Sequence, residues 1–230
     1  MRVNSEEKAA GITLISEKRK LFRLFPVPRE TKNKLEQYVE LLFECNRSIN
    51  LVSESSLPHI WTRHIMDSAQ LLPLLPKHAS SLADLGSGAG FPGMVLAILG
   101  VQGVHLIESI GKKAEFLRNA AEKLKVEVMI HRERIEKIRG LKTDIVTARA
   151  LKPLPQLLTL AEPFMNSYSI CLFLKGRSVE EELTEARKYW TFSCDRIPSL
   201  SDSSGAILKI SHLKRLKSHG VRLSVRKKAD

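Results

Sequence analysis

Residues 82–93, with the sequence LADLGSGAGFPG, join a short apolar segment to four glycines and a proline. Glycine adopts positive φ and lets the backbone approach a ligand closely, and proline is favoured in the first turn of a helix. The segment therefore predicts a strand, a ligand-binding turn and a helix that begins near Pro92. The next apolar segment, VHLIE, ends at Glu108, twenty-two positions after Gly86. A carboxylate at that place can accept hydrogen bonds from both hydroxyls of a ribose.

Two classes of nucleoside cofactor are compatible with this loop. Residues 88–93 match the pattern G-x-G-x-x-G of dinucleotide sites, which is a weak signal alone. The longer pattern D-x-G-x-G-x-G, at residues 84–90, is typical of methyltransferases that use S-adenosylmethionine (SAM). A purely structural glycine turn is the third interpretation. The order of strand, glycine loop, helix, strand and terminal acid favours SAM. The residues expected at the cofactor are Asp84, Gly86, Gly88 and Glu108.

Three further side chains are candidates for contact with a substrate. Arg149 follows the apolar segment 144–148, and open α/β sheets bind ligands at the carboxyl ends of their strands, so this cation could orient a carboxylate or a phosphate. His64 and Asp67 lie three positions apart and share one face of a helix predicted at residues 59–72. The alternatives are a surface arginine, a core histidine and a side-chain pair within the helix, and the residues alone leave them open.

From residue 81 the sequence alternates between strand and helix patterns, which predicts a parallel sheet with right-handed crossovers. We expect an α/β fold with a mostly parallel seven-stranded sheet, helices on both faces and further helices before the first strand. The predicted strands are 81–85, 104–108, 126–130, 144–148, 168–174, 192–197 and 206–210. The predicted helices begin at Thr31 as N-cap, at 59, near 92, and at 111, 153 and 180, the last three ending at 124, 164 and 190.

Positive charge is concentrated at the end of the chain. The formal net charge is +12, and eight of the 37 Lys and Arg residues lie between positions 209 and 230. This distribution predicts a polyanionic partner such as RNA, with a solubilising tail as the alternative. The tail lacks a broad apolar face, which argues against a membrane surface. The expected segments are a basic, partly ordered leader (1–28), a helical cap (29–76), the methyltransferase domain (77–211) and a basic tail (212–230).

The remaining composition predicts a cytoplasmic protein without a metal. Three scattered cysteines form neither a disulfide framework nor a metal cluster. Nothing in the sequence resembles a signal peptide, and the longest apolar run, near residues 94–99, is too short to span a bilayer.

The fourth predicted strand narrows the reaction. Its tip, TARAL at residues 147–151, lacks the Asn/Asp-Pro-Pro-aromatic motif of base amino-group methylation. Methylation of pyrimidine C5 needs a nucleophilic cysteine, whereas Cys171 lies inside an apolar strand pattern and is interpreted as a core residue. Ribose methylation typically uses a Lys-Asp-Lys-Glu set, of which only Lys175 could be a member. Methylation of a ring nitrogen such as guanine N7 needs no general base, because the nucleophile has no proton to lose, and the sequence suits that reaction.

The sequence resembles one family, the small-subunit rRNA methyltransferase G family, also called glucose-inhibited division protein B. The stretches that carry the resemblance are 46–52 (NRSINLV), 61–68 (WTRHIMDS), 84–93, 108–113 (ESIGKK), 134–136 (RIE) and 147–150 (TARA). The resemblance implies a bacterial cytoplasmic enzyme that methylates N7 of one guanosine, guanosine 527, in the decoding-region loop of 16S rRNA. It implies a Rossmann-like class I SAM-dependent methyltransferase fold with a helical N-terminal cap, SAM as cofactor, and 16S rRNA or the 30S subunit as partner. We expect a monomer.

The resemblance also implies roles for individual residues. Gly86 and Phe91 would line the SAM pocket, and Ile135 and Glu136 would hold the adenine. Arg149 would lie at the methionine end of the cofactor or at the target. The expected catalytic residues are Arg149, His64 and Asp67, and the expected RNA contacts are Arg63, Lys112, Lys113 and Lys175. Two features depart from the family: Cys45 stands in place of a tryptophan, and the tail is longer. A non-catalytic RNA-binding protein and an NAD-dependent oxidoreductase are the alternatives.

Overall fold

One sheet organises the chain, and its strands were located in a computed structural model that describes residues 5–216, with side chains from residue 11. The part of the predicted basic tail beyond residue 216 lies outside the described residues. The strands are β1 (Leu82–Leu85), β2 (Val104–Ile107), β3 (Met129–His131), β4 (Thr143–Arg149), β5 (Met165–Lys175), β6 (Trp190–Pro198) and β7 (Ala206–Arg215). Within the described residues they form a seven-stranded sheet in the order β3-β2-β1-β4-β5-β7-β6. The first five strands are parallel, and β7 runs antiparallel to both β5 and β6.

Helices cover both faces of this sheet. They are α1 (Ser5–Leu24), α2 (Arg29–Asn46), α3 (Asp67–Ala69), α4 (Gly93–Ile98), α5 (Gly111–Leu124), α6 (Leu154–Ala161) and α7 (Val179–Ala186). Between α2 and α3 the chain forms a 3-10 helix (Glu54–His59) and a π-helical turn (Trp61–Met66), and further 3-10 turns occupy Leu72–Leu74, Ile135–Lys137 and Glu162–Phe164. The α-helices α2, α4 and α5 pack on one face of the sheet, and α6 and α7 pack on the other.

The alternation of side chains along β1 explains the two cores. Leu82 packs with α4 and α5, whereas Ala83 and Leu85 point to the opposite face and pack with α6. All four residues of β1 are buried, because the strand lies in the middle of the sheet with helices on either side. The predicted fold class is confirmed by this architecture.

Several predicted element boundaries are wrong for local physical reasons. The helix predicted from an N-cap at Thr31 begins at Arg29, directly after Pro28, whose extended backbone starts it. The third strand begins at Met129 rather than 126, because the N–H of Val126 donates to Ala121 and completes the C-terminal turn of α5. The helix predicted at 180–190 ends at Ala186, because residues 187–189 form a turn that leads into strand β6 at Trp190.

The two ends of the described chain are more regular than expected. Residues Ser5–Leu24, predicted as a partly ordered leader, form the helix α1. Strand β7 continues to Arg215, so its last four residues come from the segment assigned to the tail. The continuous helix predicted at 59–72 is instead a series of 3-10, π and α turns. No helix among residues 5–216 is both long enough and apolar enough to cross a membrane.

The N-terminal helices are attached to the glycine loop by a buried tyrosine. The side chain of Tyr38 on α2 is fully buried, and its hydroxyl donates a hydrogen bond to the carbonyl of Ala89. The ring also packs edge-on against Phe91, with 6.0 Å between the centroids. The helical cap and the loop after β1 therefore form one packed unit.

Tyr38→Phe should lower the free energy of unfolding by about 1–3 kcal/mol, because the buried Ala89 carbonyl loses its donor. The matched control is Tyr168→Phe on β5, where the side chain is 84% exposed and should change stability by less than about 0.5 kcal/mol. Chemical denaturation of both variants measures the difference. Equal stability of the two variants would contradict the proposed attachment.

Candidate active site at the carboxyl edge of the sheet

The loop after β1 requires glycine at three positions. Gly86, Gly88 and Gly90 have φ angles of +70°, +58° and +89°, in the region that side chains disfavour. The N–H groups of Gly86 and Ser87 donate to the carbonyl of Ile107 at 2.9 and 3.0 Å, which fixes the loop to the end of β2. The predicted strand, glycine turn and helix are all present in this order.

Asp84 holds the glycine loop in place through buried hydrogen bonds. Its side chain is fully buried, accepts a hydrogen bond from Thr147 Oγ1 at 2.8 Å, and accepts another from the N–H of Gly93 at 3.1 Å. Burial raises the pKa of this carboxyl to about 6, although the hydrogen bonds from Thr147 and Gly93 oppose the rise. The contacts of Asp84 therefore lie within the protein, and they join β1, β4 and the start of α4.

Glu108 closes the other side of the glycine loop. One carboxylate oxygen accepts from the N–H of Gly88 at 2.9 Å, and the other accepts from the N–H of Ile110 at 2.6 Å. An ionised carboxylate offers about four lone-pair sites, so acceptor capacity remains for the hydroxyls of a ribose. A Cβ added at Gly88 would meet nothing nearer than the Gly86 carbonyl oxygen, at 3.9 Å. The bare backbone at Gly88 and the carboxylate beside it fit a nucleoside.

Ile135 and Glu136, which were predicted to contact the adenine, follow strand β3, the neighbour of β2. The N–H of Glu108 donates to the carbonyl of His131 at 3.0 Å, which aligns the ends of β2 and β3. The short 3-10 turn Ile135–Lys137 begins four residues later, with Ile135 half-buried and Glu136 exposed. An apolar side chain after β3 could cover the flat face of a base. We call the part of the sheet edge after β1, β2 and β3 that carries Gly88, Glu108 and Ile135 the cofactor cradle.

The three predicted catalytic residues lie together. Arg149, at the end of β4, donates through Nη1 to Nδ1 of His64 at 2.9 Å, and its Nε lies 3.3 Å from Asp67 Oδ2. The guanidinium also lies over the ring of Phe91, with 5.9 Å between the guanidinium carbon and the ring centroid. The hypothesis that His64 and Asp67 pair within their own helix is thus replaced by a shared arginine partner.

This arrangement keeps His64 neutral. An arginine can only donate, so Nδ1 of His64 must accept and the proton resides on Nε2. The imidazole is buried against Phe91, and Nε2 has no hydrogen-bond partner in the part of the chain that the structure describes. Burial, followed by the charges of Arg149 and Arg63, lowers the pKa of His64 to about 3.

Asp67 connects Arg149 to the loop between β6 and β7. Its Oδ1 accepts from Nε2 of Gln70 at 2.9 Å and from the hydroxyl of Ser201 at 2.5 Å. The amide oxygen of Gln70 accepts from the N–H of Leu200 at 2.7 Å. Burial raises the pKa of Asp67, and Arg149 opposes that rise. Residues that are far apart in sequence are thereby held in one network.

A cavity of about 460 Å³ opens beside this network, on the opposite side of β4 from the cofactor cradle. We call it the substrate chamber. It is bounded by the loop after β4, the end of β5 and the loop between β6 and β7. The residues that line it are Arg63, Asp67, Arg149, Ala150, Leu151, Lys152, Pro153, Leu174, Lys175, Gly176, Glu182, Ser199, Ser201, Asp202, Gly205 and Ala206.

Leu151 lies between the chamber and the cradle. It lines the chamber, and a Cβ added at Gly86 would be 2.7 Å from its Cδ1. The preceding residue, Ala150, has a φ of +47°, which turns the chain at this point. Neither Leu151 nor the serines of the β6–β7 loop were singled out in the sequence, because SDSSG indicates only a turn.

The cations predicted to contact RNA have different surroundings. Arg63 is exposed at the chamber, and Lys112 is exposed on the first turn of α5, next to the half-buried Lys113. Lys175 instead lies 2.6 Å from the Glu182 carboxylate and donates to the Lys152 carbonyl at 3.0 Å. These contacts are internal, and a phosphate contact by Lys175 stays a prediction.

Two further features concern Cys171 and the residue types that bind metal ions. Cys171 is fully buried in β5 and burial raises the pKa of its thiol, which agrees with its interpretation as a core residue. Within residues 5–216, no cluster of three or more His, Cys, Asp or Glu side chains could hold a metal ion.

His64→Gln should make the stability of the protein less sensitive to acid. The unfolded histidine gains a proton near pH 6.5, while the folded one stays neutral down to about pH 3. The contribution of His64 to the free energy of unfolding is therefore complete above pH 6.5 and is lost as the pH falls. Relative to the variant, the wild type should lose about 2 kcal/mol of unfolding free energy between pH 7 and pH 5. Denaturation at several pH values measures this difference, and a constant difference would contradict the neutral, buried assignment.

Comparison with known proteins agrees with this geometry. The sequence model of the family GidB, rRNA small subunit methyltransferase G, matches residues 31–207. Ribosomal RNA small subunit methyltransferase G of Rhodospirillum rubrum is 49% identical over 190 residues, which cover 83% of this chain and 94% of that protein. The protein of the same name from Rhodospirillum centenum is 50% identical over 189 residues, 82% of this chain and 88% of that one.

Solved structures show the same fold at much lower identity. A mutant of MtNAS in complex with S-adenosylmethionine has a TM-score of 0.55 and 16% identity, covering 78% of this chain and 75% of that one. The glycopeptide N-methyltransferase MtfA, complexed with S-adenosyl-L-methionine, has a TM-score of 0.55 and 7% identity, covering 64% and 93%. The sequence relationship is closer than the structural one, and it confirms the predictions of the family and of a methyltransferase. This chain belongs to the rRNA small subunit methyltransferase G family.

Proposed function

We propose that this chain methylates N7 of one guanosine, guanosine 527, in the decoding-region loop of 16S rRNA, presented as free rRNA or in the 30S subunit. The observation that supports the proposal best is the division of the sheet edge into a cofactor cradle and a substrate chamber, with Arg149 between them. We expect the protein to act as a monomer in the cytoplasm of a bacterium. The basic tail would add non-specific affinity for RNA phosphates.

Each side of the site has a distinct task. SAM supplies an electrophilic methyl group on a sulfonium. Glu108 and the backbone at Gly88 would hold its ribose, and Ile135 would cover one face of its adenine. Leu151 would separate the cradle from the chamber and exclude water at their junction. Arg149 would orient the carboxylate of the cofactor or the target nucleotide.

The chemistry of guanine N7 matches what the chamber provides. The N7 lone pair attacks directly, so the protein has to position the base rather than remove a proton. His64 is not available as a base, because Nδ1 is occupied by Arg149 and the pKa is low. Asp67 is occupied by Arg149 and Ser201. Their role on this account is to fix the direction of Arg149.

The cations at the entrance suit a nucleic acid. Arg63 and Lys152 both line the chamber, and neither makes a hydrogen bond or ion pair with another of residues 5–216 through its charged group. They could bind the phosphates on either side of a nucleotide that enters the chamber. This arrangement supports recognition of a single extruded nucleotide rather than of a continuous duplex.

The proposal is tested by mapping N7-methylguanosine in 16S rRNA from cells with and without the gene. We expect the modification at position 527 only when the gene is present. Complementation with an Arg149→Ala variant should leave the position unmethylated. Methylation at 527 in cells that lack the gene, or loss at another position, would contradict the proposed target.

A matched pair of glycine substitutions tests the cofactor cradle. Gly88→Ala should cost about 1–2 kcal/mol of stability because of its positive φ, and should weaken SAM binding by roughly tenfold or more, because the new methyl faces the cradle. Gly90→Ala should instead unfold the loop, because its Cβ would lie 2.3 Å from the Tyr38 hydroxyl. Calorimetric titration and denaturation measure both. Wild-type SAM affinity in Gly88→Ala would contradict the assigned cradle.

A further inference from the structure

Three carboxylates among the described residues line the substrate chamber, and two of them have partners on both oxygens. Asp67 uses both oxygens for Arg149, Gln70 and Ser201. Glu182 accepts from Lys175 and from the N–H of Leu154 through one oxygen, both at 2.6 Å, and from Ser178 through the other. Neither carboxylate has an oxygen without a partner.

The third carboxylate, Asp202, has one free oxygen. Its Oδ1 accepts from the N–H and the hydroxyl of Ser204, at 2.8 and 2.7 Å. Its Oδ2 has no hydrogen-bond partner within residues 5–216, and the side chain is exposed at the chamber. The hydrogen bonds from Ser204 lower the pKa of this carboxyl, so the group is ionised at neutral pH.

The loop that carries Asp202 is held in place by its own hydrogen bonds. The N–H of Gly205 donates to the Asp202 carbonyl at 2.9 Å, and the N–H of Ser199 donates to the Gly205 carbonyl at 3.1 Å. Ser201, the residue before Asp202, donates a hydrogen bond to Asp67, which in turn pairs with Arg149. Asp202 therefore has a fixed position two contacts away from the proposed reaction centre.

The order of strands puts Asp202 opposite the cofactor cradle. The cradle lies at β1 and β2, Arg149 ends β4, and the Asp202 loop leads into β7 on the other side of β5. In guanine, N7 lies on the imidazole edge, whereas the N1–H and 2-amino donors lie on the opposite edge. A base with N7 turned towards the cradle would thus present its donors to the Asp202 side of the chamber.

We propose that Asp202 selects guanine by accepting hydrogen bonds from its N1–H and 2-amino groups through the free carboxylate oxygen; this inference rests on the proposed function. Adenine has an acceptor at N1 and lacks the 2-amino group, so the same carboxylate disfavours it. Asp202 is a specificity residue on this account, because it lies away from the atom that receives the methyl group.

The test uses inosine, which keeps N7, O6 and N1–H and lacks only the 2-amino group. We compare kcat/KM for small-subunit rRNA, free or assembled into subunits, that carries guanosine or inosine at the target. The wild type should prefer guanosine by roughly 10- to 100-fold, the worth of one hydrogen bond to a charged group. Asp202→Asn should abolish most of this preference, because its oxygen can still accept from Ser204 while its amide replaces the free acceptor with a donor.

Ser204→Ala is the matched control, because it removes a hydrogen bond to Asp202 and keeps the carboxylate. This variant should retain the preference for guanosine. SAM affinity, measured by calorimetry, should be unchanged in both variants. Equal preference in wild type and Asp202→Asn, or no preference in the wild type, would overturn the inference. Failure of the proposed function gives a different result, namely no N7-methylguanosine from the wild type with the guanosine substrate.

Discussion

The site depends on a guanidinium held from two sides. Arg149 projects from the end of β4. Its Nε lies 3.3 Å from Asp67 Oδ2 and its Nη1 lies 2.9 Å from His64 Nδ1, and these two contacts fix its direction. A partly buried charge is stable only when it is paired, so removal of Asp67 would leave the guanidinium without its counter-charge. Removal of His64 would leave one guanidinium N–H without its acceptor. The same contacts hold the irregular helical segment against the end of β4. The contacts that pack the N-terminal region against the sheet therefore also form part of the lining of the substrate chamber.

The cofactor cradle follows a different principle, in which the backbone of the glycine loop supplies most of the surface that would meet a ligand. Side chains beneath and beside the glycine loop, from Asp84 and Tyr38, hold it in place without entering the cradle. Glu108 stabilises the loop through Gly88 and keeps lone pairs for a ligand. On the proposed function, structural support and ligand binding share one carboxylate.

Sequence patterns indicated the residues of the cofactor cradle more completely than those of the substrate chamber. The glycine loop and Glu108 lie in one strand-turn-helix-strand unit, so their spacing alone indicates the chemistry. The contact between Asp67 and Ser201 joins residues 134 positions apart, and no local pattern encodes it. Boundaries were missed where a neighbour overrides propensity, as at Pro28, which starts α2 two residues before Thr31. The resemblance to a family indicated Arg149, His64 and Asp67 as site residues, but the contacts of Arg149 with the other two are known only from the structure.

The central claim is that cofactor and target base occupy opposite sides of Arg149. A crystal structure of the protein with S-adenosylhomocysteine and a guanine nucleoside tests it most directly. The account predicts the adenosine between Gly88 and Ile135, with its ribose hydroxyls on Glu108, and the guanine in the chamber beside Asp202. An adenosine bound in the chamber, or a cradle that stays closed to it, would contradict the account.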